Sequence, residues 1–492
     1  MLLVRSLAAF LAINLVTATF LLAGSNALAQ GQPDDDGAGE RKGTPIVPAQ
    51  GVGKLDLKEL GNKKPTEPKV NTTYVRGAGG GALVAKVLTE LEDDRLIKLP
   101  TGELEVVARK DTRPTDKPFS SASRQQVIDR LKADKFGDFT FVPSGYYIFA
   151  YKEGGEAFYI HSRSIMESML AGVIGQLREW GLEPHRPETP LVVIIMPNRE
   201  EFDALEKMPR GVAAYYSGLK NYVVLYEDTE LFESAPEYAF KEACYTIAHE
   251  GIHQVLANTG IQQRLSMWPS WISEGLPEYF CPLKVNTKLV KVKDGELPER
   301  SLRWQRPGMV NDMRMSHLLK TPPRGGQLVQ GVVSPGQLTA YGYAVSWGLV
   351  HFLSEKRPEK FAAYLRDISE SKPLMPVVDR EHRGPDPFFV KHFGDNYAAI
   401  EAGVQRHLTS KPVQKLYRDP AVYQTYYVLK VIYKQGRNYT TEVGLTLSPA
   451  EAKKWRDDKE EVMAAAGRKA KFYTIICKTR KEAEYQLIKL MR

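Results

Sequence analysis

The stretch that most constrains this chain is Ser234 to Phe280, and within it the pentapeptide His249-Glu250-Gly251-Ile252-His253. Ser234-Ala235-Pro236-Glu237 has the form of a capping box, in which Ser234 accepts from a free backbone N–H and Glu237 reaches back to the cap. Pro236 falls in the first turn, where its missing N–H costs nothing. Tyr238, Ala243, Ile247, Ala248, Ile252, Val255 and Leu256 then recur close to helical period. Asn258 and Gly260 tolerate the left-handed conformation that ends helices. The spacing predicts a helix on which His249 and His253 stand one turn apart on one face, able to share one ion.

Zinc takes imidazole nitrogens at about 2.0–2.1 Å, and a catalytic zinc has three protein ligands and an open water position. Glu250, next to the first histidine, is placed to take a proton from that water as it attacks. The metal makes this possible at neutral pH by lowering the water's pKa. The same five residues also suit a buried helix whose histidines only pack or cap. Beyond Met267-Trp268-Pro269, the residues Pro269 and Ser270 open a second helix on which Glu274 and Glu278 fall four apart. A carboxylate there supplies the third ligand that two histidines lack, and its companion can accept a histidine's free ring N–H. Two solvated glutamates on a surface helix fit that spacing equally. No third histidine follows closely, because Asn258, Thr259 and Gly260 occupy its place and the next histidine is His317.

Together the two segments resemble the gluzincin metallopeptidases, in which two histidines of an H-E-x-x-H helix and a glutamate of the next helix hold zinc. The 21 residues from His253 to Glu274 lie in that clan's range. Trp271 to Phe280, read as W-x-x-E-G-x-x-E-Y-F, is similar to a family of uncharacterised secreted bacterial proteins with a peptidase-MA-like domain. The resemblance covers about Thr140 to Ile368. It implies an α+β gluzincin-type domain with a mixed N-terminal sheet, a zinc helix and a helical C-terminal lobe. It also implies one Zn2+ per chain held by His249, His253 and Glu274, with Glu250 as general base and Glu278 supporting a ligand. Pro277 stands where that pattern has Ala, and its ring is expected to disturb the helix between Glu274 and Glu278.

Two more features carry the resemblance further. In the apolar helix expected over Thr339 to Leu353, the Tyr…Ser-Trp…His-Phe-Leu spacing resembles the same family. This implies an oxyanion-stabilising hydroxyl opposite the zinc, from Tyr343 first and Tyr341 second, although tyrosines on so apolar a helix also suit plain core. In gluzincins an edge strand runs along the cleft and pairs with substrate backbone, and Ala213 to Ser217 is the candidate here.

The remainder sets the context. Residues 1–29 read as a secretory signal: Arg5, an apolar Leu7 to Ala23, and an Ala27-Leu28-Ala29 cleavage site before Gln30. No later stretch is long and apolar enough to span a bilayer, so a secreted or periplasmic location is expected. Residues 30–70 are a linker rich in Pro, Gly, Asp and Lys. Residues 71–115 read as a small β (SH3-like) module with strands at 82–87, 95–99 and 103–107. Gly77 to Ala82 is a glycine turn rather than a nucleotide loop, lacking a strand before it and a helix after it. Residues 120–410 form the metallopeptidase-like domain, with a strand over Phe141 to Tyr151, and 411–492 a small α/β module. The segment between Phe280 and Met309 reads as a basic loop.

A formal charge of +8 fits contact with anionic envelope polymers, but no interleaving of basic and aromatic residues marks a nucleic-acid groove. Cys244, Cys281 and Cys477 cannot make a disulfide framework; export would permit Cys244 and Cys281, which flank the two metal helices, to pair, but separately buried thiols are expected. Asn71 and Asn438 are sequons, meaningful only in a glycosylating host. The expected function is a secreted zinc metallopeptidase acting on a peptide or protein substrate. The alternatives are a zinc-stabilised binding protein without turnover, and an amide hydrolase acting on cell-wall cross-links.

Overall fold

The computed structural model describes residues 65–491, apart from 78–80, 209–211, 228–235, 283, 288–299, 304–308, 321–323, 335–337, 375–383, 421–425, 437, 448 and 478–479. The expected signal, most of the expected linker and Ser234 of the expected capping box lie outside the described residues. The fold is α+β.

The first unit is an antiparallel sheet ordered β4-β3-β2-β1-β5, made of β1 (Thr72–Arg76), β2 (Ala82–Glu90), β3 (Asp94–Lys98), β4 (Leu104–Ala108) and β5 (Arg113–Pro114). Sequence pattern finds only the middle three, because β1 and β5 are short and flanked by polar residues. Gly77 N–H donates to Gly81 O at 2.7 Å across the turn between β1 and β2. One face of this sheet is shared with the rest of the chain. Leu91, Leu96 and Leu104 cluster with Leu219, Leu265 and Leu374. Arg264 Nη1 donates to Gly102 O at 2.7 Å, and Lys98 Nζ to Glu188 Oε2 at 2.7 Å.

Next come α1 (Arg124–Asp134), β6 (Thr140–Ser144), β7 (Tyr147–Tyr151), α2 (Glu156–Glu179), β8 (Leu191–Met196), α3 (Arg199–Leu205), β9 (Ala214–Ser217), β10 (Tyr222–Tyr226), α4 (Pro236–Asn258) and α5 (Ser270–Phe280). The sheet runs β6-β7-β8-β10-β9, with β7, β8 and β10 parallel and the outer two strands antiparallel. Strand side chains alternate between faces. Leu191, Val193 and Ile195 of β8 accordingly join the core with α2 and α4, while Val192, Ile194 and Met196 join Val127, Ile128 and Phe202 on the other side. Both faces are covered, as a parallel sheet requires, so β8 is apolar at every position.

The single strand expected over 141–151 is a hairpin, because Gly145 adopts φ +55° and turns β7 back onto β6. Helix α1 escapes the pattern reading although Ser123 and Gln126 form a capping box at its start.

The following segment holds β11 (Lys284–Thr287) and β12 (Arg300–Arg303), an antiparallel pair where a loop is expected. Six of its eight residues are basic or polar, and Val285 and Leu302, paired across the two strands, are the only apolar ones, so the sequence pattern hides it. A helical lobe follows: α6 (Asp312–Leu319), α7 (Gln327–Val333), α8 (Ala340–Lys356), α9 (Pro358–Ser369), α10 (Pro387–Phe393), α11 (Tyr397–Leu408) and α12 (Lys411–Leu416). Helix α8 is capped by Thr339, whose hydroxyl accepts from Gly342 N–H at 3.1 Å. It is buried along most of its length, with α5, α6, α7, α9 and α11 packed about it.

The last unit is a sheet ordered β14-β13-β15 from β13 (Tyr426–Gln435), β14 (Asn438–Thr446) and β15 (Ala470–Cys477), with α13 (Pro449–Ala465) and α14 (Arg480–Met491). Strand β14 is an addition to the sequence reading, reached through Gly436 at φ +65°. Cys244, Cys281 and Cys477 are buried free thiols. Among the described residues no helix is long and apolar enough to cross a membrane.

Candidate metal centre

Helix α4 is held against the sheet by polar side chains on its inner face. Gln254 Nε2 donates to Val192 O at 3.0 Å and to Asn221 O at 3.2 Å, and Asn258 and Asn221 exchange amide hydrogen bonds at 2.7 and 3.1 Å. Gly260, at φ +81°, lets the chain leave the helix. On the opposite side α2 crosses closely. A Cβ on Gly251 would stand 2.4 Å from Met166 Sδ and 2.6 Å from Met169 Cε, so a side chain at the central residue of the histidine motif would require both methionines to move. These contacts fix the rotation of α4 and aim His249 and His253 at α5.

Helix α5 runs unbroken through Pro277, contrary to expectation. The proline has no N–H for the Ser273 carbonyl, yet Cys281 N–H donates to Pro277 O at 2.8 Å. Nine of the helix's residues are buried, including both glutamates, and that packing outweighs one missing bond. Gly275 sets the helix depth: a Cβ there would meet Val350 Cγ2 at 2.8 Å and the Ser346 carbonyl oxygen at 3.1 Å, both on α8.

The result is a convergence of three donor atoms. His249 Nε2 lies 3.2 Å from His253 Nε2 and 3.2 Å from Glu274 Oε2, and His253 Nε2 lies 3.5 Å from the same oxygen. Ligands about 2.0–2.1 Å from one tetrahedral ion stand ~3.3 Å apart, so the triangle has the size of a zinc face. Burial alone would push the Glu274 carboxyl up, but His253 and His249 outweigh it and hold it down to about 2. His249 is pulled the other way: burial lowers it, while Cys281, Glu274 and Glu278 raise it well above the usual imidazole range. Its surroundings therefore favour a positive charge at that ring, which a metal ion would also supply.

Glu278 faces the other nitrogen, its Oε1 3.4 Å from His249 Nδ1. It is gripped by Arg314 of α6 at 2.6 and 2.9 Å and accepts from Asn311 Nδ2 at 2.8 Å. Burial opposes the charge, but Arg314 and His249 hold the carboxyl far below the usual range. His249 also belongs to a second grouping, with Glu278 and Cys281. That grouping is the poorer metal site, because Glu278 is already spent on Arg314 and burial pushes the Cys281 thiol up to about 11.

Glu250 is coupled electrostatically to His249, His253 and Glu274 but is not one of the three converging donors. The Tyr216 backbone hydrogen-bonds its carboxyl, and Oε2 is buried without a hydrogen-bond partner among the described residues. Burial raises its proton affinity. Tyr216 lies on β9, so the edge strand of the sheet runs beside Glu250. All four β9 residues are buried. His249, Glu250 and Tyr343 are partly exposed, whereas His253, Glu274 and Glu278 are buried. The Tyr343 ring is 6.4 Å from the His249 ring and has Arg314 5.3 Å over its face; burial keeps its hydroxyl protonated. Tyr341 instead lines a small cavity with Leu328, Val329, Glu401 and Val404, away from the histidines.

Arg314, Asn311 and the position of Cys281 were not anticipated from sequence. Cys281 carried a readable signal, since Glu274, Glu278 and Cys281 follow at four and three residues along one helical face. Arg314 carried none, lying 36 residues from its partner.

No curated protein matches the chain. A family model described as a protein of unknown function, DUF1570, matches residues 243–375. Over that stretch, which holds His249, Glu250, His253, Glu274, Glu278, Arg314 and Tyr343, the chain is similar to this family.

Proposed function

We propose that the protein is a secreted, zinc-dependent metallopeptidase of gluzincin type that hydrolyses peptide bonds. The observation that carries this reading is the triangle of His249 Nε2, His253 Nε2 and Glu274 Oε2, with sides of 3.2, 3.2 and 3.5 Å, coupled electrostatically to Glu250, whose Oε2 is buried without a hydrogen-bond partner among the described residues. Those three residues would hold the ion. The chemistry zinc supplies at such a place is an acidified water and a polarised carbonyl.

Glu250 would take the water's proton as it attacks and pass it to the leaving amine, a task suited to a buried carboxyl of raised proton affinity. The Tyr343 hydroxyl, kept protonated by burial, would donate to the developing oxyanion. Glu278 would accept from His249 Nδ1 and so present Nε2 as a lone pair, with Arg314 holding Glu278 in place.

The test compares Glu250→Gln with the parent on a peptide library, with and without chelator. Glu250→Gln leaves the three ligands intact, so zinc content should hold while hydrolysis falls by orders of magnitude. Loss of zinc in that variant, or full retention of activity, would overturn the assignment of Glu250. Tight zinc with no hydrolysis of any peptide by the parent would favour a binding protein on this fold.

A further inference from the structure

A second group of candidate metal-ligating side chains lies in the helical lobe and shares no residue with the first centre. His351 and Glu355 are four residues apart on α8, and His407 lies in the last turn of α11, which packs against it. His351 Nδ1 stands 2.8 Å from His407 Nε2. The Glu355 carboxylate is 3.7 Å from His351 Nε2 through one oxygen and 3.7 Å from His407 Nε2 through the other. Ligand atoms from all three residues fall within 4.8 Å of one another.

We infer that His351, His407 and Glu355 form a second divalent transition-metal site, of the zinc class, that ties α8 to α11. Two imidazoles and a carboxylate are a donor set suited to zinc and its neighbours rather than to calcium or magnesium, which prefer oxygen ligands. The i, i+4 pair on one helix and a third ligand from its neighbour bring three donors to one point without distorting either helix.

The surroundings discriminate further. Both imidazole side chains are almost fully buried, at 1% and 2% exposure, among the rings of Trp347, Tyr279 and Phe352. Burial, with His351 next, pulls His407 down to about 4, so at neutral pH it is the uncharged ring that metals require. Only one proton fits on the line between His351 Nδ1 and His407 Nε2. Glu355 is at the rim, 40% exposed, and offers both a negative charge and a route from solvent. A hydrogen-bonded histidine pair with no ion is the competing arrangement, and metal binding decides between them.

This site is independent of the first centre, and the experiment keeps the two apart. Full-length His253→Ala protein, disabled at the first centre, is stripped with chelator and titrated with Zn2+ and with Co2+ as a coloured probe. One ion per chain should bind, with visible cobalt absorption. Adding Glu355→Gln, a substitution at the partly exposed rim that leaves packing intact, removes a direct ligand. It should weaken binding by more than the ~10–100-fold typical of losing an outer-shell partner. Adding His407→Asn instead should abolish the absorption. Zinc should raise the melting temperature of His253→Ala and lose that effect with Glu355→Gln. The proposal is overturned if His253→Ala takes up no ion, or if folded His253→Ala/Glu355→Gln binds as tightly as His253→Ala. Failure of the first centre would appear separately, as equal zinc content in wild type and His253→Ala.

Discussion

Arg314 holds Glu278 by both carboxylate oxygens, Nη2 at 2.6 Å from Oε1 and Nε at 2.9 Å from Oε2. The pair joins α6 to α5 directly behind His249, and Glu278 is 3% exposed. Removing the guanidinium leaves a buried charge without its partner, which costs about 3–5 kcal/mol. Arg314→Gln should therefore lower stability by that order in denaturant unfolding. It should also loosen zinc by ~10–100-fold in a competition titration, because His249 loses its fixed acceptor. Arg314→Lys should recover part of the stability but not the bidentate grip. Unchanged zinc affinity in Arg314→Gln would show that Glu278 does not orient His249.

Much of this site is written in local spacing. His249, Glu250 and His253 are set by helical period, and Glu274, Glu278 and Cys281 by the same period one helix later. Strand β8 is legible because a continuous apolar run suits a strand covered on both faces. What is illegible depends on contacts distant in sequence. Arg314 meets Glu278 only because α6 and α5 both pack on α8. Pro277 argues locally for a broken helix, and the burial of α5 overrides it. The hairpin of β6 and β7 hides in an apparently continuous run because its turn needs only Gly145 and a single neighbour. The pair β11 and β12 offers only Val285 and Leu302 as apolar residues, too few for a pattern to be read.

Gly275 shows how close α5 lies to α8. Its missing side chain leaves room for Val350 Cγ2 and the Ser346 carbonyl, which a Cβ would approach to 2.8 and 3.1 Å. Backbone cannot rotate away as a side-chain tip can, so Gly275→Ala must push the helices apart. Overpacking of this kind costs about 1–3 kcal/mol, and the displacement should carry Glu274 from the histidines. A lowered unfolding midpoint together with weaker zinc is the expected result. An unchanged midpoint would mean the helices part freely.

Glu188 links the first sheet to the domain that carries the site, through Lys98 at 2.7 Å and Lys86 at 3.2 Å. Burial pulls its carboxyl up, but the two lysines outweigh this and hold it down to about 2, against an ordinary value of 4.5. Burial also keeps Lys98 below its usual value. A carboxyl lowered in the folded state contributes stability above its unfolded value and loses it as pH falls through the folded one. Wild type should exceed Glu188→Gln in stability above about pH 4.5, with the gap closing toward pH 2. Unfolding measured across that window checks it, and a gap independent of pH would assign the effect to shape rather than charge.

Glu274 separates the two metal groupings that share His249. In the first, its Oε2 completes a triangle with both Nε2 atoms; in the second, Glu278 and Cys281 gather at Nδ1. Glu274→Asp keeps the charge and withdraws it by one carbon–carbon bond, about 1.5 Å. Glu274→Gln keeps the reach and removes the charge. If Glu274 is a ligand, position and charge both matter, and each variant should lose zinc affinity beyond the ~100-fold upper range of outer-shell changes. Cys281→Ala removes a thiol that burial keeps protonated, so its effect should be small by comparison. The measurement is zinc retention against a competing chelator, made on all three variants in parallel. The reverse order, with Cys281→Ala stripping the ion and both Glu274 variants keeping it, would move the metal to the Nδ1 side of His249 and leave Glu250 without a water to activate.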